Sequence, residues 1–580
     1  MAISIKNITA EDRVDNIESH VKVSAGPGAG KTRWLINHIK HVIKKSERLG
    51  NSRKIACITY TNVAAETILE RLGTQIDSVE TLTFHSFLYK HVIKPFAFLI
   101  PVEYELNVEK MDGHSDIPVY KGMLYEWKGL TGQSYISDDN KIIEALRSLI
   151  WTLQENGEIV LDVDKPYKGM ISKKLSIRKT SYLEYKKMCW RKGLLAHEDV
   201  LFFSYIMIGK FPRIVDVIRA KFPYIFIDEF QDTNPIQTYI LKKISKQETV
   251  VGIIGDVAQS IYGFQGAKPD HFTNFSLPGL NEYSILDNHR CTNKIVSVLN
   301  DIRTDIIQSG KRNVEGIPPK ILIGDKIWAL DKACELIGGA VCSLSRDNIT
   351  SNVMRDKVDY AVAKVNLIDD LRESDSNTSR ANIIIACIKA TEFAKQLRYK
   401  EALKELRKEL SRELKTEMRI DVQKLSLHIL KVLLFKYGEF QVKNLLEFHA
   451  IISNLIRPIK IAGFKAGAAK VFYEKNVFHD VALSVNIQEN TSFHRTIHKA
   501  KGAEFCNVIL VLDKRDRNGD FLEAEELEFI ISPNLMGDEE HRIRYVAISR
   551  ARDSLFINIP TISDINETVL IDKGFEIIMQ

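Results

Sequence analysis

The sequence has little of what disulfide-stabilised, metal-binding or membrane proteins carry. Its seven cysteines are scattered and include no Cys-x-x-Cys pair, which argues against a disulfide framework, an iron–sulfur cluster or a zinc site. No apolar run reaches about 18 residues, so no membrane span or membrane partner is expected. The first residues lack the apolar stretch of a signal peptide, and we expect a cytoplasmic location.

The chain also lacks a strong excess of either charge. The formal net charge is +6 over 580 residues, which is compatible with a polyanionic partner but does not require one. Hydrophobic residues make up 45% and charged residues 27%, an ordinary globular balance that predicts folded domains. At roughly 100–200 residues per domain, this length predicts roughly three to five of them.

Short apolar segments between helical segments predict an α/β fold with parallel sheets. In the first part, strands are expected near Val21–Val23, Ile55–Ile58, Tyr224–Ile227 and Val250–Ile254. In a second part, strands are expected at Lys320–Ile323, Val508–Leu512 and Leu555–Ile557. The predicted order is a first α/β domain (1–90 and 191–280) with a helical insertion (91–190), then a second α/β domain (281–349 and 485–580) with another helical insertion (350–484).

The segment Lys395–Arg419 within the second insertion has helical periodicity. One apolar stripe is formed by Tyr399, Leu403, Leu406, Leu410, Leu414 and Met418. A partner-binding coiled coil is one interpretation of this stripe. An amphipathic helix packed on its own domain is favoured, because the stripe covers fewer than about three heptads.

A glycine-rich segment, Ala25–Thr32, follows the first strand and precedes an apolar helix, which is the context of a P-loop. Its glycines let backbone N–H groups turn towards phosphate oxygens at a helix N-terminus. Lys31 would reach the β- and γ-phosphates and Thr32 would bind Mg²⁺. The candidate ATP-binding residues of this loop are Gly26, Pro27, Gly28, Ala29, Gly30, Lys31 and Thr32. The strict pattern has Gly where Ala25 stands.

Acidic residues stand at the end of the strand predicted at Tyr224–Ile227. Asp228 is placed to bind Mg²⁺ together with Thr32, and Glu229 is placed to polarise the attacking water. A third candidate, Gln259, follows the next strand and could sense the γ-phosphate. A P-loop with such acids predicts an ATP hydrolase that uses Mg²⁺, although it does not define the hydrolase's task.

The order of motifs resembles the UvrD/Rep family of superfamily 1 DNA helicases over most of the chain. The segments that carry the resemblance beyond the P-loop and acid pair are Ile58–Ala65, Thr83–Phe87, Gln259–Ala267, Leu286–Arg290, Thr496–Phe505 and Arg544–Arg552. The resemblance implies two RecA-like domains with ATP between them. It further implies that the second domain supplies Arg290 and Arg550 as arginine fingers that stabilise the transferring phosphoryl group. Arg33 and His289 would flank the adenine, and Glu504 would contact the ribose.

The same resemblance implies an ATP-dependent helicase or translocase on single-stranded or forked DNA, with 3′→5′ travel. The candidate DNA contacts are Tyr60, Asn62, Phe84, His85, Tyr262, Phe264 and His498. Aromatic faces stack on bases without reading sequence. Each aromatic residue could equally be core packing, and Tyr60 and Phe264 are the preferred candidates because their motifs match closely.

Some positions depart from the family pattern. Asp12 stands where the family has a Gln that reads the adenine edge, which places strict preference for ATP in doubt. Phe264 and Gln265 stand where the family has Trp and Arg, so one coupling arginine is missing. His289 replaces the usual Tyr of its motif.

The short length of the chain compared with large repair helicases suggests a resemblance to one particular branch of the family, and with it a competing function. The second insertion is short for the family, and no nuclease segment is expected after the sixth motif. This build resembles the UvrD-like subunit of the Gabija anti-phage system, which works with an OLD-family (GajA-like) nuclease. Alternatives to a motor in DNA repair or anti-phage defence are therefore a DNA- or nucleotide-sensing ATPase that regulates such a nuclease, and a scaffold with a vestigial P-loop. The full set of acids and arginines argues against the scaffold.

Overall fold

The computed structural model describes residues 5–115, 117, 119, 121–136, 139–164, 177–245, 248–357, 366–413, 421–456, 461–485, 492–516 and 518–580. The chain divides into two compact units. Unit 1 comprises Met1–Val314 and Pro533–Tyr545, and unit 2 comprises Glu315–Ser532 and Val546–Gln580. Among the described residues, no helix has the length and apolar character needed to cross a bilayer.

Unit 1 alternates strands and helices. Its strands are β1 Lys6–Ile8, β2 Val21–Ala25, β3 Ile55–Thr59, β4 Val79–Thr83, β5 Leu149–Leu153, β6 Ile159–Val163, β7 Tyr224–Ile227, β8 Val250–Gly255, β9 Asn281–Ile285, β10 Asp287–Asn288 and β11 Ser309–Gly310. Its helices are α1 Lys31–Lys45, α2 Asn62–Leu72, α3 Phe84–Leu88, α4 Lys94–Phe96, α5 Lys121–Thr131, α6 Asp139–Arg147, α7 Lys179–Arg191, α8 His197–Lys210, α9 Pro212–Lys221, α10 Pro235–Ile244, α11 Pro269–Thr273 and α12 Asn293–Ile302.

In the described part of unit 1, seven parallel strands form one sheet in the order β1-β9-β2-β8-β7-β3-β4. The central strands are short apolar runs because both faces of the sheet are covered. On β7, Ile225 and Ile227 pack into one apolar cluster, and Tyr224 and Phe226 pack into another. This alternation follows from the two-residue period of a strand.

Strand β9 belongs to the sheet of unit 1, although the sequence predicts a domain boundary immediately before it. The sequence predicts that residues from 281 onwards belong to the second α/β domain, whereas β9 pairs with β2, with Val21 opposite Asn281, and with β1. The division between the units falls after Val314. The strand's partners are set by pairing with segments far away in the sequence, which the local sequence of Asn281–Ile285 does not reveal.

The first insertion is mainly helical, and it also contains a β-hairpin. Strands β5 and β6 pair antiparallel, with Leu149 opposite Val163. A separate apolar cluster around Trp127 and Leu124 joins α5, α6 and α7. The hairpin was not anticipated from the sequence.

Unit 2 contains the remaining elements. Its strands are β12 Lys320–Ile323, β13 Cys342–Ser345, β14 His494–Thr496, β15 Phe505–Val511, β16 Ala551–Ile559 and β17 Glu576–Met579. The later helices of the chain are α13 Lys326–Ile337, α14 Asn348–Asp356, α15 Leu367–Ser374, α16 Thr378–Lys395, α17 Tyr399–Glu413, α18 Val422–Phe435, α19 Tyr437–Phe440, α20 Leu445–Leu455, α21 Ala468–Lys475, α22 Phe478–Ala482, α23 Ile497–Ala500, α24 Glu523–Ile531, α25 Glu539–Ile548 and α26 Asp564–Asp572. Residues of α25 up to Tyr545 belong to unit 1.

The described strands of unit 2 form a six-stranded parallel sheet in the order β14-β13-β15-β16-β12-β17. The predicted α/β class with parallel sheets is therefore confirmed in both units. Helices α15–α22 share a separate apolar core, which includes Ile384, Leu430 and Phe448.

The expected single helix over Lys395–Arg419 is interrupted. Helix α16 ends at Lys395 because Leu397 adopts a left-handed conformation with φ +60°. The N–H groups of Leu397 and Arg398 donate to the carbonyls of Ala394 and Phe393, a pairing that closes a helix C-terminus. Helix α17 then restarts at Tyr399.

The apolar stripe of α17 packs within its own unit, as favoured above. Leu406 and Leu410 are buried in the core that also contains Leu430 of α18. Tyr399 at the start of the stripe remains 47% exposed. Leu414 and Met418, the last stripe positions, lie outside the described residues.

Candidate active site

The P-loop connects β2 to α1 in the middle of the unit 1 sheet. Gly28 and Gly30 have φ of +69° and +84°, a region that side chains with a Cβ rarely adopt. Gly30 is the residue before the first turn of α1, so the loop presents the helix N-terminus. Lys31 Nζ donates to the Ala25 carbonyl at 3.4 Å, which keeps its ammonium group against the loop.

The acid that follows β7 lies next to the P-loop. Thr32 Oγ1 donates to Asp228 Oδ2 at 3.2 Å. Asp228 N donates to the Ile58 carbonyl of β3, so the carboxyl end of the sheet positions this residue. A hydroxyl and a carboxylate at this distance form a set of oxygen donors that suits Mg²⁺. These are the two residues that the sequence predicted as metal ligands.

Burial controls the charge of Asp228. Removal from water, followed by repulsion from Glu229, raises the pKa of Asp228 to about 7. Lys31 and the Thr32 hydroxyl act in the opposite direction and stabilise the carboxylate. Burial and the neighbouring carboxylate therefore favour the protonated form of Asp228 more strongly than water would.

Glu229 adopts a backbone conformation that is unusual for a residue with a side chain. Its φ is +52°, in the left-handed region. Its N–H donates to Asp228 Oδ1 at 3.0 Å, and its carboxylate accepts from Gln231 Nε2 at 2.5 Å. The Glu229 carboxylate is thus held by the side chain of Gln231, which is buried.

Gln259 lies in the loop after β8 and is buried. Its side-chain amide donates to Asp256 Oδ2 at 2.5 Å. The Asp256 backbone N–H in turn donates to Gln231 Oε1 at 3.0 Å. The predicted γ-phosphate sensor is thus connected to Glu229 through Gln231 and Asp256, and Gln231 was not identified from the sequence.

Residues 288–290 pack directly on the P-loop. His289 N donates to the Gly28 carbonyl at 2.9 Å, and Asn288 Nδ2 donates to the Pro27 carbonyl at 3.1 Å. A Cβ at Gly28 would lie 2.7 Å from the Arg290 Cβ. Arg290 is therefore placed beside the loop by unit 1, whereas the resemblance assigned it to the second domain.

Gln308 is a further contact of the P-loop that sequence analysis missed. Its Nε2 donates to the Pro27 carbonyl at 3.1 Å, and a Cβ at Gly26 would lie 2.5 Å from Gln308 Cδ. Asn300 of α12 holds the Gln308 backbone through paired amide bonds. A polar residue between short elements gives no local signal, so this role could not be read from spacing.

The segment before β2 borders the start of α1, where the adenine contacts were expected. Arg33 Nε pairs with Glu11 Oε1 at 2.6 Å. Asp12 Oδ2 accepts from the Thr9 backbone N–H at 2.7 Å, so the carboxylate is used within its own turn. His289 is half exposed, and its Nε2 lies 3.8 Å from Asp287.

The predicted residues of unit 2 lie near the strands β14, β15 and β16. Arg550 is buried, and its guanidinium donates to the carbonyls of Val546 and Ala503 and to Ser549 Oγ. Glu504 is exposed just before β15, and His498 is half-buried on α23. Their proposed roles on ATP and DNA remain predictions.

Aromatic side chains form a stack in unit 1. Tyr60 and Tyr262 are stacked with ring centroids 4.6 Å apart and an interplanar angle of 23°. Phe264 meets Tyr262 edge-on at 5.8 Å and is 57% exposed. The structure thus brings together three of the predicted DNA contacts from two distant motifs.

Other predicted DNA contacts are placed differently. Phe84 is 6% exposed and packs in the main apolar cluster of unit 1, so it does not present a ring face. This corrects its assignment as a base contact, and the reason is that α3 turns the ring towards the sheet. The side chain of Asn62 lies outside the described part of the structure.

His85 belongs to a histidine cluster. Its ring lies 5.8 Å from His197 and 6.4 Å from His114, and the Nδ1 atoms of His114 and His197 are 2.7 Å apart. Burial, with repulsion from the other imidazoles, lowers the pKa of His85 to about 4. His85 is therefore neutral at physiological pH and offers no positive charge to a phosphate.

A polar pocket with basic walls lies beside β14 in unit 2. The residues that line it are Asn348, Ser351, Asn352, Arg355, Ser492, His494, Arg495 and Lys499. Lys499 Nζ donates to Asn348 Oδ1 at 2.9 Å, and Arg495 lies over the Phe505 ring at 4.8 Å. Lys499 is the neighbour of His498, so this pocket adjoins a predicted DNA contact.

The fold and the site define a class of protein. A glycine-rich loop between a parallel strand and a helix, with Thr32 and Asp228 in contact beneath it, is the arrangement of a P-loop nucleoside triphosphatase fold. The model of the UvrD/REP helicase N-terminal domain matches residues 7–278, and that of the UvrD-like helicase C-terminal domain matches residues 340–561. The two matches together cover most of the chain, which belongs to the UvrD/Rep helicase family.

Curated relatives resemble part of the chain. An ATP-dependent DNA helicase PcrA of Staphylococcus aureus is 25% identical over 327 residues, which are 55% of this chain and 42% of the relative. PcrA of Bacillus subtilis is 26% identical over 302 residues, 51% of this chain and 39% of the relative. A probable DNA helicase II homolog of Mycoplasma capricolum is 27% identical over 294 residues, 49% and 39% respectively. The chain thus spans about two fifths of the length of these relatives.

Proposed function

We propose that this chain is an ATP-dependent DNA helicase or translocase that couples ATP hydrolysis to movement on single-stranded DNA. The observation that carries the proposal is the contact of Thr32 Oγ1 with Asp228 Oδ2 at 3.2 Å, in the same unit as the stacked rings of Tyr60 and Tyr262. A nucleotide site and a base-stacking surface on one sheet are what such a motor requires. Membership of the UvrD/Rep family and the names of the curated relatives support it.

The residues of the P-loop fit ATP with Mg²⁺. Gly28 and Gly30 have left-handed backbones, and a Cβ at either would collide with neighbouring side chains, so only glycine allows this loop conformation, in which backbone N–H groups can turn towards phosphate oxygens. Thr32 and Asp228 would bind Mg²⁺, which when bound neutralises part of the phosphate charge. Lys31 would bind the β- and γ-phosphates, and Arg33, His289 and Glu504 would contact the nucleoside.

The catalytic roles follow from what each side chain can reach. Glu229 is the proposed group that orients and polarises the attacking water, and its left-handed backbone sets its direction. Gln259 is the proposed γ-phosphate sensor. Arg290, beside the P-loop, and Arg550 of unit 2 are the proposed donors to the charge that develops on the phosphoryl group.

Movement on DNA is proposed to follow the hydrolysis cycle. Bases of a single strand would stack on Tyr60, Tyr262 and Phe264, which gives grip without sequence preference. Hydrolysis removes the γ-phosphate that Gln259 and the arginines contact, and the change in bound charge drives a change of conformation. Travel in the 3′→5′ direction is part of the proposal and derives from the family resemblance.

A forked-duplex assay tests the proposal. We expect the wild type to hydrolyse ATP faster with single-stranded DNA and to separate a duplex that carries a 3′ tail. Lys31→Ala and Glu229→Gln should abolish both activities while retaining the fold, whereas Lys44→Ala, an exposed lysine on the same helix, should behave as the wild type. Undiminished turnover in Lys31→Ala and Glu229→Gln would refute the site.

A second candidate function is an ATPase that senses DNA or nucleotides and regulates an OLD-family nuclease, which is the role implied by the resemblance to the UvrD-like subunit of the Gabija anti-phage system. The observations that favour it are Gln265 at the family's coupling arginine and Asp12, whose carboxylate is used by Thr9. Weak coupling between ATP hydrolysis and movement on DNA would leave hydrolysis intact but reduce unwinding. DNA-stimulated ATPase without strand separation, together with co-purification of a GajA-like nuclease, would favour this candidate over the helicase.

A further inference from the structure

A buried ion-pair network surrounds Arg303, the residue that follows α12. Its Nη1 lies 2.6 Å from Asp256 Oδ1, and its Nε and Nη2 lie 2.8 and 3.0 Å from the two oxygens of Asp305. The same guanidinium is hydrogen-bonded to the hydroxyl of Tyr545 on α25. Arg303 is 2% exposed, Tyr545 1% exposed and Asp256 buried, so water screens the contacts among these three groups little, whereas Asp305 lies at the exposed edge of the network.

Asp256 connects this network to the proposed catalytic groups. While its Oδ1 accepts from Arg303, its Oδ2 accepts from the Gln259 amide at 2.5 Å. Its N–H donates to Gln231, which donates to the Glu229 carboxylate. An unbroken series of hydrogen bonds therefore runs from Glu229 and Gln259 to Arg303.

The part of α25 that belongs to unit 1 is fixed to the same loop. Arg542 Nε donates to the Ser260 carbonyl at 2.6 Å, and Glu539 Oε1 accepts from the Gly263 N–H at 2.8 Å. Helix α25 ends at Ile548, and Arg550 follows two residues later. A displacement of the 256–263 loop would consequently act on the helix that precedes Arg550.

We infer that Arg303 is a positioning residue, which fixes Asp256, and through it the Gln259 amide, relative to Tyr545 on α25. Binding of a γ-phosphate at Gln259 would thereby change the position or mobility of α25. The inference rests on the proposed function, because Gln259 is the proposed sensor of that phosphate. A planar guanidinium can bridge two carboxylates and a hydroxyl at once, and a lysine ammonium cannot reproduce that geometry. The network is a direct physical connection through named contacts.

The test uses the full chain with conservative variants. Arg303→Lys keeps the positive charge opposite the buried Asp256 and thereby avoids an unpaired buried carboxylate. Tyr545→Phe removes one hydroxyl and keeps the ring, so it tests the link even if Arg303→Lys folds poorly. Arg213→Lys, at an exposed arginine of unit 1, is the matched control.

Steady-state kinetics separate positioning from structural support. We expect Arg303→Lys to lower kcat for DNA-stimulated ATP hydrolysis about tenfold with KM for ATP within about twofold, because the phosphate cradle is untouched. Tyr545→Phe should lower kcat in the same direction by a smaller factor. A kcat equal to that of the control, whatever happens to Tm, would overturn the inference.

Amide hydrogen exchange with a non-hydrolysable ATP analogue and Mg²⁺ decides the inference independently of turnover. In the wild type, the analogue should slow exchange in both 256–263 and 539–545. In Arg303→Lys, protection should persist at the P-loop and be lost in 539–545. If the wild type binds the analogue but does not hydrolyse ATP, only the proposed function is contradicted. If residues 539–545 are protected equally in wild type and Arg303→Lys, or are not protected in the wild type, the inference about Arg303 is contradicted.

Discussion

At the scale of single residues, the site depends on a carboxylate whose charged form is destabilised by burial. Asp228 is buried beside Glu229, and its carboxylate is stabilised by Lys31, the Thr32 hydroxyl and the Glu229 backbone N–H. Such a group binds a divalent cation well because the cation offsets both the loss of hydration and the repulsion from Glu229, which together raise its pKa. The same physics makes binding of the cation sensitive to pH.

Affinity for Mg²⁺ should fall as pH falls through neutrality. The pKa of Asp228 is raised to about 7, so protonation below that pH removes the ligand form. From pH 8 to pH 6 the ionised fraction should fall about tenfold, and the half-saturating Mg²⁺ for binding a fluorescent ATP analogue should rise by about as much. Asp228→Asn, which has no such proton, should show weak affinity and a pH dependence due to the nucleotide alone. Identical pH profiles for wild type and Asp228→Asn would contradict the assignment.

The aromatic stack makes its own prediction. Tyr60→Ala and Phe264→Ala should each weaken binding of single-stranded oligonucleotides by roughly 1–3 kcal/mol, because each removes a ring face for a base. Fluorescence anisotropy at one fixed salt concentration measures the effect. Phe435→Ala, an 89% exposed ring in unit 2, is the matched control. Wild-type affinity in both Tyr60→Ala and Phe264→Ala would exclude this surface as the base platform.

At the scale of elements, the P-loop is confined by its neighbours as well as by its own glycines. Gly28→Ala would force a Cβ into the left-handed region and to 2.7 Å from Arg290 Cβ and Asn288 Oδ1. We expect affinity for ATP to fall at least about tenfold while the rest of the fold is retained. Calorimetric titration with Mg·ATP measures the loss. Gly209→Ala, in open space on α8, should bind ATP normally and gain stability of up to about 1 kcal/mol.

The second insertion contains a buried ion pair between Arg380 and Asp375, which we expect to stabilise it. Arg380 Nε and Nη2 lie 2.8 and 2.6 Å from Asp375, which also accepts from the Tyr473 hydroxyl at 3.0 Å. Arg380→Ala leaves Asp375 charged and buried and should cost about 3–5 kcal/mol locally. Faster amide exchange in peptides of α16 would report that loss. Lys470→Ala breaks an exposed pair and should change exchange little, so equal effects of the two variants would contradict the role of burial.

The elements also show what the sequence could and could not predict. The strands that precede Asp228 and Gln259, and the loop before Lys31, were predictable because apolar runs ending in motif residues are local signals. Leu397 was not, because its left-handed turn is imposed by contacts with Ala394 and Phe393 in a residue type that seldom adopts it.

Long-range packing accounts for most of what the sequence did not reveal. Phe84 carries a family motif but is buried by the way α3 meets the sheet. Gln231 lies within the acidic motif but has no role that its residue type reveals, and Gln308 contacts the site from a segment without a recognisable pattern. Motifs predict which groups react. The side chains that orient those groups come close to them only when the chain folds, so they cannot be identified from local sequence.

At the scale of the whole molecule, placement of charge matters more than its sum. A net charge of +6 over 580 residues is modest for a protein that binds a polyanion. Unit 1 offers stacked rings, and unit 2 offers the pocket lined by Arg355, Arg495 and Lys499. Rings hold bases and cations hold phosphates, so the two features should contribute to affinity in different ways.

Salt dependence distinguishes those contributions within one molecule. Each phosphate contact to a single strand lowers the slope of log K against log salt by about 0.7, because binding releases condensed counterions. Lys499→Ala should therefore make the slope of oligonucleotide affinity shallower by about 0.7, whereas Tyr60→Ala should lower affinity equally at every salt concentration. Lys44→Ala, which removes the same charge from an exposed position on α1, should alter neither quantity. An unchanged slope in Lys499→Ala would mean that the strand does not use the basic pocket of unit 2, and a shallower slope in Tyr60→Ala would mean that its ring acts by positioning cations rather than by stacking on bases.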